Sequence, residues 1–106
     1  MSETLAELAR VLDQVAEVAA AGREPFDSDP RHRWSIERLW IYAGNLADRH
    51  CRYAGIDDGA EPWAELVRTR NLYAHYTPDQ IVADRIWYET TTDIERLRRA
   101  VTSAQS

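Results

Sequence analysis

Apolar residues recur at three- and four-residue steps through most of this chain, which predicts helix after helix and almost no strand. Leu5, Leu8, Leu12, Val15 and Ala19 keep that step, with Thr4 and Glu7 spaced as a capping box and Gly22 as a stop. A first helix over residues 2–21 follows. Residues 23–28 contain Pro25 and turn-forming side chains and read as a connector, with Phe26 anchoring it to the core. Asp29 before Pro30 is a cap followed by a residue preset for the first helical position, and the pattern then runs unbroken to Gly55. The second helix is therefore placed at 30–54. An acidic connector, Ile56 to Glu61, leads to Pro62-Trp63 and a third helix over 62–74 with Trp63, Leu66, Val67 and Ala74 toward the core. Thr77 and Gln80 bracket a second capping box around Pro78, and Ile86, Ile94, Leu97 and Val101 continue a fourth helix over 78–101. The β-prone patch 86–92 is assigned to that helix because its flanks keep a helical period.

The second helix has more apolar surface than one stripe requires. Ile36, Leu39, Ala43, Leu46 and His50 follow one face, while Trp34 and Ile41 stand a heptad apart on another. That surplus is met either by a second copy of the chain in a two-fold dimer, or by both faces being covered within one monomer. Gly44 inside the helix costs about 1 kcal/mol relative to alanine, which points to close approach of a neighbouring helix.

At 106 residues the chain is a single domain, 1–106. Its 44% hydrophobic and 29% charged residues fit a soluble globular protein. No long apolar run and no basic, hydrophobic leader is present, so a cytoplasmic location and no membrane partner are expected. A lone Cys51 has no disulfide or CxxC partner, and His32 and His50 lack convincing metal-ligand spacing, so neither metal nor other cofactor is expected. Both histidines read as surface or boundary residues. All 13 basic residues are arginine, and the net charge of −5 argues against a general nucleic-acid coat. The charge is uneven, however: residues 31–76 carry seven arginines against six acids, and the flanks carry six against twelve.

Within that relatively positive middle lies Arg70-Asn71-Leu72-Tyr73-Ala74-His75, just before a Thr77-Pro78-Asp79 break. A guanidinium grips phosphate through a planar fork, and an imidazole exchanges protons near neutral pH. RNA brings its own nucleophile, the 2′-hydroxyl, so an acid–base group and a cation beside the phosphate suffice for cleavage without a metal. Asn71 stands about 100° around an ideal helix from Arg70, placed either to orient the substrate backbone or to make a packing hydrogen bond. Tyr73 and Tyr76 either stack on bases or belong to core and interface.

Pro62-Trp63, Arg70-Asn71, His75, Ile86-Trp87 and Leu97, taken together in this order, resemble the HEPN superfamily and its HepT-like branch over roughly residues 25–101. The resemblance implies an antiparallel four- to five-helix bundle forming a two-fold homodimer. It further implies a metal-independent ribonuclease toxin whose antitoxin partner is a small nucleotidyltransferase, with RNA as substrate. On that basis Arg70 and His75 would be catalytic and meet across a dimer cleft. The chain departs from the family pattern twice. The tyrosine that stands two places after the histidine, an AMP acceptor in the family, is Thr77 here, while Tyr76 stands one place after. The family's Gly-Glu pair is Gly44-Asn45. Because Thr77 also suits a helix cap, Tyr76 is the favoured modification site and blockage by the partner the favoured means of control. Two other readings are kept: a catalytically silent nucleotide- or nucleic-acid-binding module of the same type, and a purely structural helical dimer.

Overall fold

A computed structural model of the chain describes residues 3–76, 81 and 83–105. Among these residues there are helices and no strands. The order is α1 (Glu3–Ala19), α2 (Arg23–Ser28), α3 (Pro30–Ala54), α4 (Trp63–His75) and α5 (Ala83–Tyr88), then a π-helical turn, Glu89–Asp93, and α6 (Ile94–Ala104). The bundle measures 41 × 25 × 18 Å. No helix among the described residues is long and apolar enough to cross a membrane.

The longest helix is the one with the clearest local signals. Asp29 caps α3 by accepting the Arg31 amide at 3.0 Å, with Pro30 in the first turn. At the other end Gly55 takes the left-handed conformation, φ 68°, that closes a helix without a Cβ penalty. α3 packs against α1, α2 and α4, and α1 also packs on α6. The core gathers Leu8, Leu12 and Val15 of α1, Ile36, Trp40 and Leu46 of α3, Leu66 of α4, and Ile86, Ile94, Leu97 and Val101 beyond it.

α3 and α4 are antiparallel: the His50 ring meets Trp63 at 4.6 Å, and further along Gly44 faces Leu66 and Arg70. A Cβ at Gly44 would lie 2.3 Å from the Arg70 Cβ and 2.7 Å from the Leu66 carbonyl oxygen. The two backbones meet here because glycine leaves the space, as the sequence implied.

Several local expectations are corrected. Residues 23–28 form helix rather than turn: an Arg23–Asp27 pair at 2.9 Å and a Ser28 hydroxyl donating to the Glu24 carbonyl hold it closed. Phe26 is buried as expected and packs on Trp87 at 5.2 Å, while Arg23 lies over both rings and reaches Asp84. α1 already includes Glu3 and ends at Ala19, and Glu7 bonds Arg10 and Tyr42 instead of closing a box on Thr4. α4 starts one residue late and ends at His75. Ala74, expected in the core, is exposed, because α4 buries Leu66, Thr69 and Tyr73, and Ala74 lies about 100° from the last of these. His50, expected at the surface or boundary, is buried against Trp63; burial lowers its pKa.

The expected fourth helix is divided by the π turn, and its predicted start, including Thr77, Pro78 and Gln80, lies outside the described residues. The wider turn brings Thr90 fully inside, where its hydroxyl accepts the Trp40 indole N–H at 3.1 Å. It also sets Glu89 over α4. There the carboxylate accepts from the Thr69 hydroxyl and the Tyr73 phenol, each at 3.4 Å, and from Arg85 at 3.3 Å.

Two measurements test this packing. Gly44→Ala gains up to about 1 kcal/mol of helix propensity but overpacks a seam where a backbone oxygen cannot rotate away, a cost of about 1–3 kcal/mol. The variant is expected to melt several degrees lower; a rise would contradict the seam. Burial raises the Glu89 pKa, with Arg85 and Tyr73 pulling it back, so the folded protein holds that proton more tightly than the unfolded chain. The resulting stability is complete below about pH 4.3 and is lost as pH rises through the raised value. Glu89→Gln should therefore gain on the wild type in melting temperature between pH 4 and pH 7, and an unchanged difference would refute the burial effect.

Candidate functional site

Because Gly44 lets α4 lie directly on α3, the Arg70 stem is pinned in the seam and its guanidinium emerges beside the next residue of α3. Its Nη1 donates to Asn45 Oδ1 at 3.3 Å, and its Nε and Nη2 donate to Asn71 Oδ1 at 3.1 and 2.9 Å. The nearest carboxylate, Asp48, is 3.9 Å away, and the side chain retains 23% exposure. Two neutral amide oxygens thus orient the cation, and its only carboxylate partner among the described residues is Asp48, in this long ion pair. A guanidinium has five N–H donors, so about two stay available for an anion.

Arg70 forms one wall of a groove of about 430 Å³, with Asn45, Asp48, Arg49, Arg52 and Tyr53 of α3 as the rest. Three arginines therefore face one aspartate in a chain of net charge −5. Asp48 is already paired with Arg52. Arg49 makes no ion pair or hydrogen bond among the described residues. Tyr53 stands at the rim, 80% exposed. None of Arg49, Arg52 or Tyr53 was singled out from the sequence. The available signal was the spacing 45, 49, 52 and 53, which keeps to one sector of a helix opposite its buried stripe.

His75 is apart from this groove. It is the last residue of α4, exposed, and its imidazole makes no hydrogen bond among the described residues. Five residues turn an ideal helix through 500°, so His75 and Arg70 diverge by about 140° around α4. Arg68, Asn71 and His75 instead share one exposed face, at steps of three and four. Asn71 is therefore the link, gripping Arg70 and standing one turn before His75. Its side-chain oxygen accepts from the adjacent arginine within α4, a contact inside one helix rather than a bond between helices.

The tyrosines separate. Tyr73, left open between base stacking and the core, is only 5% exposed and its phenol is turned to Glu89; burial raises its pKa strongly. It belongs to the core. Tyr76 follows α4 and is 53% exposed. Thr77 lies outside the described residues. Cys51 is buried and free, its thiol pushed up by burial, and no group of three His, Cys, Asp or Glu side chains arranged to hold a metal occurs among the described residues.

Compared with known proteins, the chain matches no family model, no curated protein and no solved structure. What is defined is a class: an all-helical bundle whose central helix pair carries an arginine-lined groove.

Asn45→Asp keeps the size of the side chain but places a carboxylate against Arg70. It should weaken binding of inorganic pyrophosphate, read by calorimetry, by several-fold, whereas Asn45→Gln should weaken it less. Equal affinities across the three proteins would mean that Arg70 is not the anion seat.

Proposed function

We propose that the protein is a metal-independent RNA endonuclease acting as a two-fold dimer, with Arg70 and His75 as its catalytic residues. The observation that carries this reading is the half-buried Arg70, held by two amide oxygens with donors to spare at the wall of a cationic groove. Its N–H edge suits the non-bridging oxygens of a phosphodiester. In the reaction the 2′-oxygen attacks phosphorus as its proton passes to one His75, and the bond from phosphorus to the 5′-oxygen breaks. The second His75 protonates that leaving oxygen, leaving a 2′,3′-cyclic phosphate and a 5′-hydroxyl. Arg70 offsets the charge that grows on the phosphorane oxygens.

A dimer supplies what one chain lacks. His75 and Arg70 diverge around α4, so in this reading the two-fold axis gathers both His75 and both Arg70 side chains into one shared cleft. The dimer face in this reading is α3, where Trp34 is 58% exposed and Leu39, Ile41 and Tyr42 line an apolar hollow of about 430 Å³. Asn45 lines both that hollow and the Arg70 groove, so a copy seated on Trp34 and Ile41 abuts the seat. Together with the HEPN resemblance, this reading includes a toxin role. A small nucleotidyltransferase antitoxin covers the Arg70 and His75 cleft, with Tyr76 as the acceptor if AMP is transferred.

One observation favours a second reading, a silent nucleic-acid-binding module of the same kind: His75 stands outside the groove of its own chain. The assay that separates the two is cleavage of total RNA by purified protein in chelator. His75→Ala is expected to lower the rate by roughly 10²–10⁴-fold, and Arg70→Lys to restore only part of what Arg70→Ala loses. Light scattering should give a dimer at micromolar concentration, with Trp34→Glu shifting it to monomer. Activity that survives the double alanine variant, or that needs added magnesium, would end the assignment.

A further inference from the structure

The groove extends past the Arg70 seat, and its far end has chemistry that cleavage at Arg70 does not use. Asn45, Arg49, Arg52 and Tyr53 occupy one sector of α3, and from the first to the last the helix rises about 12 Å. Arg49 is exposed and makes no ion pair or side-chain hydrogen bond among the described residues, standing between this groove and a hollow that it shares with Glu3 and Glu7 of α1. Arg52 is paired with Asp48, the one carboxylate in the groove, so those two charges offset each other and the surplus rests on Arg49 and Arg70. Tyr53 presents a nearly bare ring at the rim, 80% exposed. A single exposed tyrosine is ordinary on a protein surface. A bare tyrosine at the end of a groove lined by three arginines is the pairing that single-stranded nucleic acid uses, cations for phosphates and an aromatic face for a base.

We propose that Arg49, Arg52 and Tyr53 form a nucleotide subsite that takes a phosphate and an unpaired base flanking the phosphodiester at Arg70, so that the groove selects single-stranded RNA. The proposal deepens the endonuclease reading and rests on it for the identity of the Arg70 ligand. Arg49 supplies the flanking phosphate contact. Tyr53 stacks on the flanking base, which a base held in a duplex cannot offer because both its faces are already stacked. Asp48 restrains the site, since its carboxylate faces the same groove as the phosphates.

The experiment measures binding apart from cleavage. A fluorescent unstructured oligoribonucleotide is titrated with the His75→Ala protein by anisotropy at several salt concentrations. Tyr53→Ala is expected to weaken binding by about tenfold, with Tyr53→Phe close to the parent, because the ring and not the hydroxyl stacks. Arg49→Gln should reduce the slope of log affinity against log salt by about 0.7, the value for one phosphate contact on a single strand. Asp48→Asn should tighten binding, and both a duplex of equal length and AMP should bind more weakly than the single strand. All of these side chains are at least partly exposed, and melting curves confirm that each variant is folded. Wild-type protein that cleaves RNA while Tyr53→Ala and Arg49→Gln bind and cut as it does would overturn the subsite and leave the endonuclease standing. Binding that depends on Tyr53 and Arg49, with no cleavage by wild type, would support the subsite and reject the endonuclease. A duplex or AMP that competes as well as the single strand would also overturn the proposal.

Discussion

The approach of α4 to α3 at Gly44 is the constraint from which the candidate site follows. With no Cβ at that position, the backbone carbonyl of Leu66 and the stem of Arg70 lie against α3 itself. The consequence is positional. A long, flexible arginine is fixed through its first carbons and has little freedom left at its head. Asn45, next in sequence to Gly44, is then within reach of the guanidinium, and Asn71 closes on it from α4. One glycine thereby sets the distance between helices, and its neighbour sets the direction of the charge.

The adjoining face of α4 is fixed by polar contacts in the interior. Thr69 and Tyr73 point to Glu89 of the π turn, and Trp40 of α3 donates to Thr90 of the same turn. Arg33 adds a further tie, donating to the Ile81 carbonyl at 3.0 Å and lying 3.5 Å from the buried Glu37 carboxylate. Carboxylates in such surroundings are costly, and burial raises the pKa of both Glu37 and Glu89. What they offer in exchange is direction, since each accepts hydrogen bonds or an ion pair only in one arrangement of the helices. α4 is therefore clamped from two sides along most of its length. Its last residue, His75, lies beyond both clamps, which is why the two chemically suggestive side chains of one motif have such different surroundings.

The elements were legible where local signals were strong. Asp29, Pro30 and Gly55 gave both ends of α3, and the leucine step gave α1 to within two residues. The short α2 was not legible, because Pro25 and the polar residues around it suit a turn, and the contacts of Arg23 and Phe26 with Trp87 that help hold it as helix come from a distant segment. The π turn was hidden for a similar reason: Thr90, Thr91 and Thr92 announce no period, and it is the Trp40 indole that draws Thr90 inward. In the site, Arg70 and the close approach at Gly44 could be read in advance. The burial of Tyr73 could not, because the apolar residues of α4 do not form one clean stripe and its phase depends on where Glu89 lies. Arg49, Arg52 and Tyr53 shared one helix sector in the sequence but gave no sign of a groove. Exposed polar positions become a groove only when a second helix crosses them, and here that helix comes some twenty residues later.

The charge of the whole chain and the charge of the groove argue in opposite directions, and distance decides between them. At physiological ionic strength a fixed charge is screened over about 8 Å, whereas the bundle extends 41 Å along its longest axis. An anion in the groove is therefore governed by Arg49, Arg52, Arg70 and Asp48, with Glu3 and Glu7 lining a neighbouring hollow that Arg49 shares, and less by the acids farther away. Those distant acids still act on a large polyanion that tries to lie across the surface, because such a ligand cannot avoid them. A protein with a net charge of −5 is thus a poor coat for nucleic acid and a suitable host for a short stretch of it. The same arithmetic explains why Asn45 is consequential. A carboxylate at that position would lie well inside one screening length of Arg70 and would consume the local surplus on which the site depends, while an amide orients the guanidinium and leaves its charge to be used.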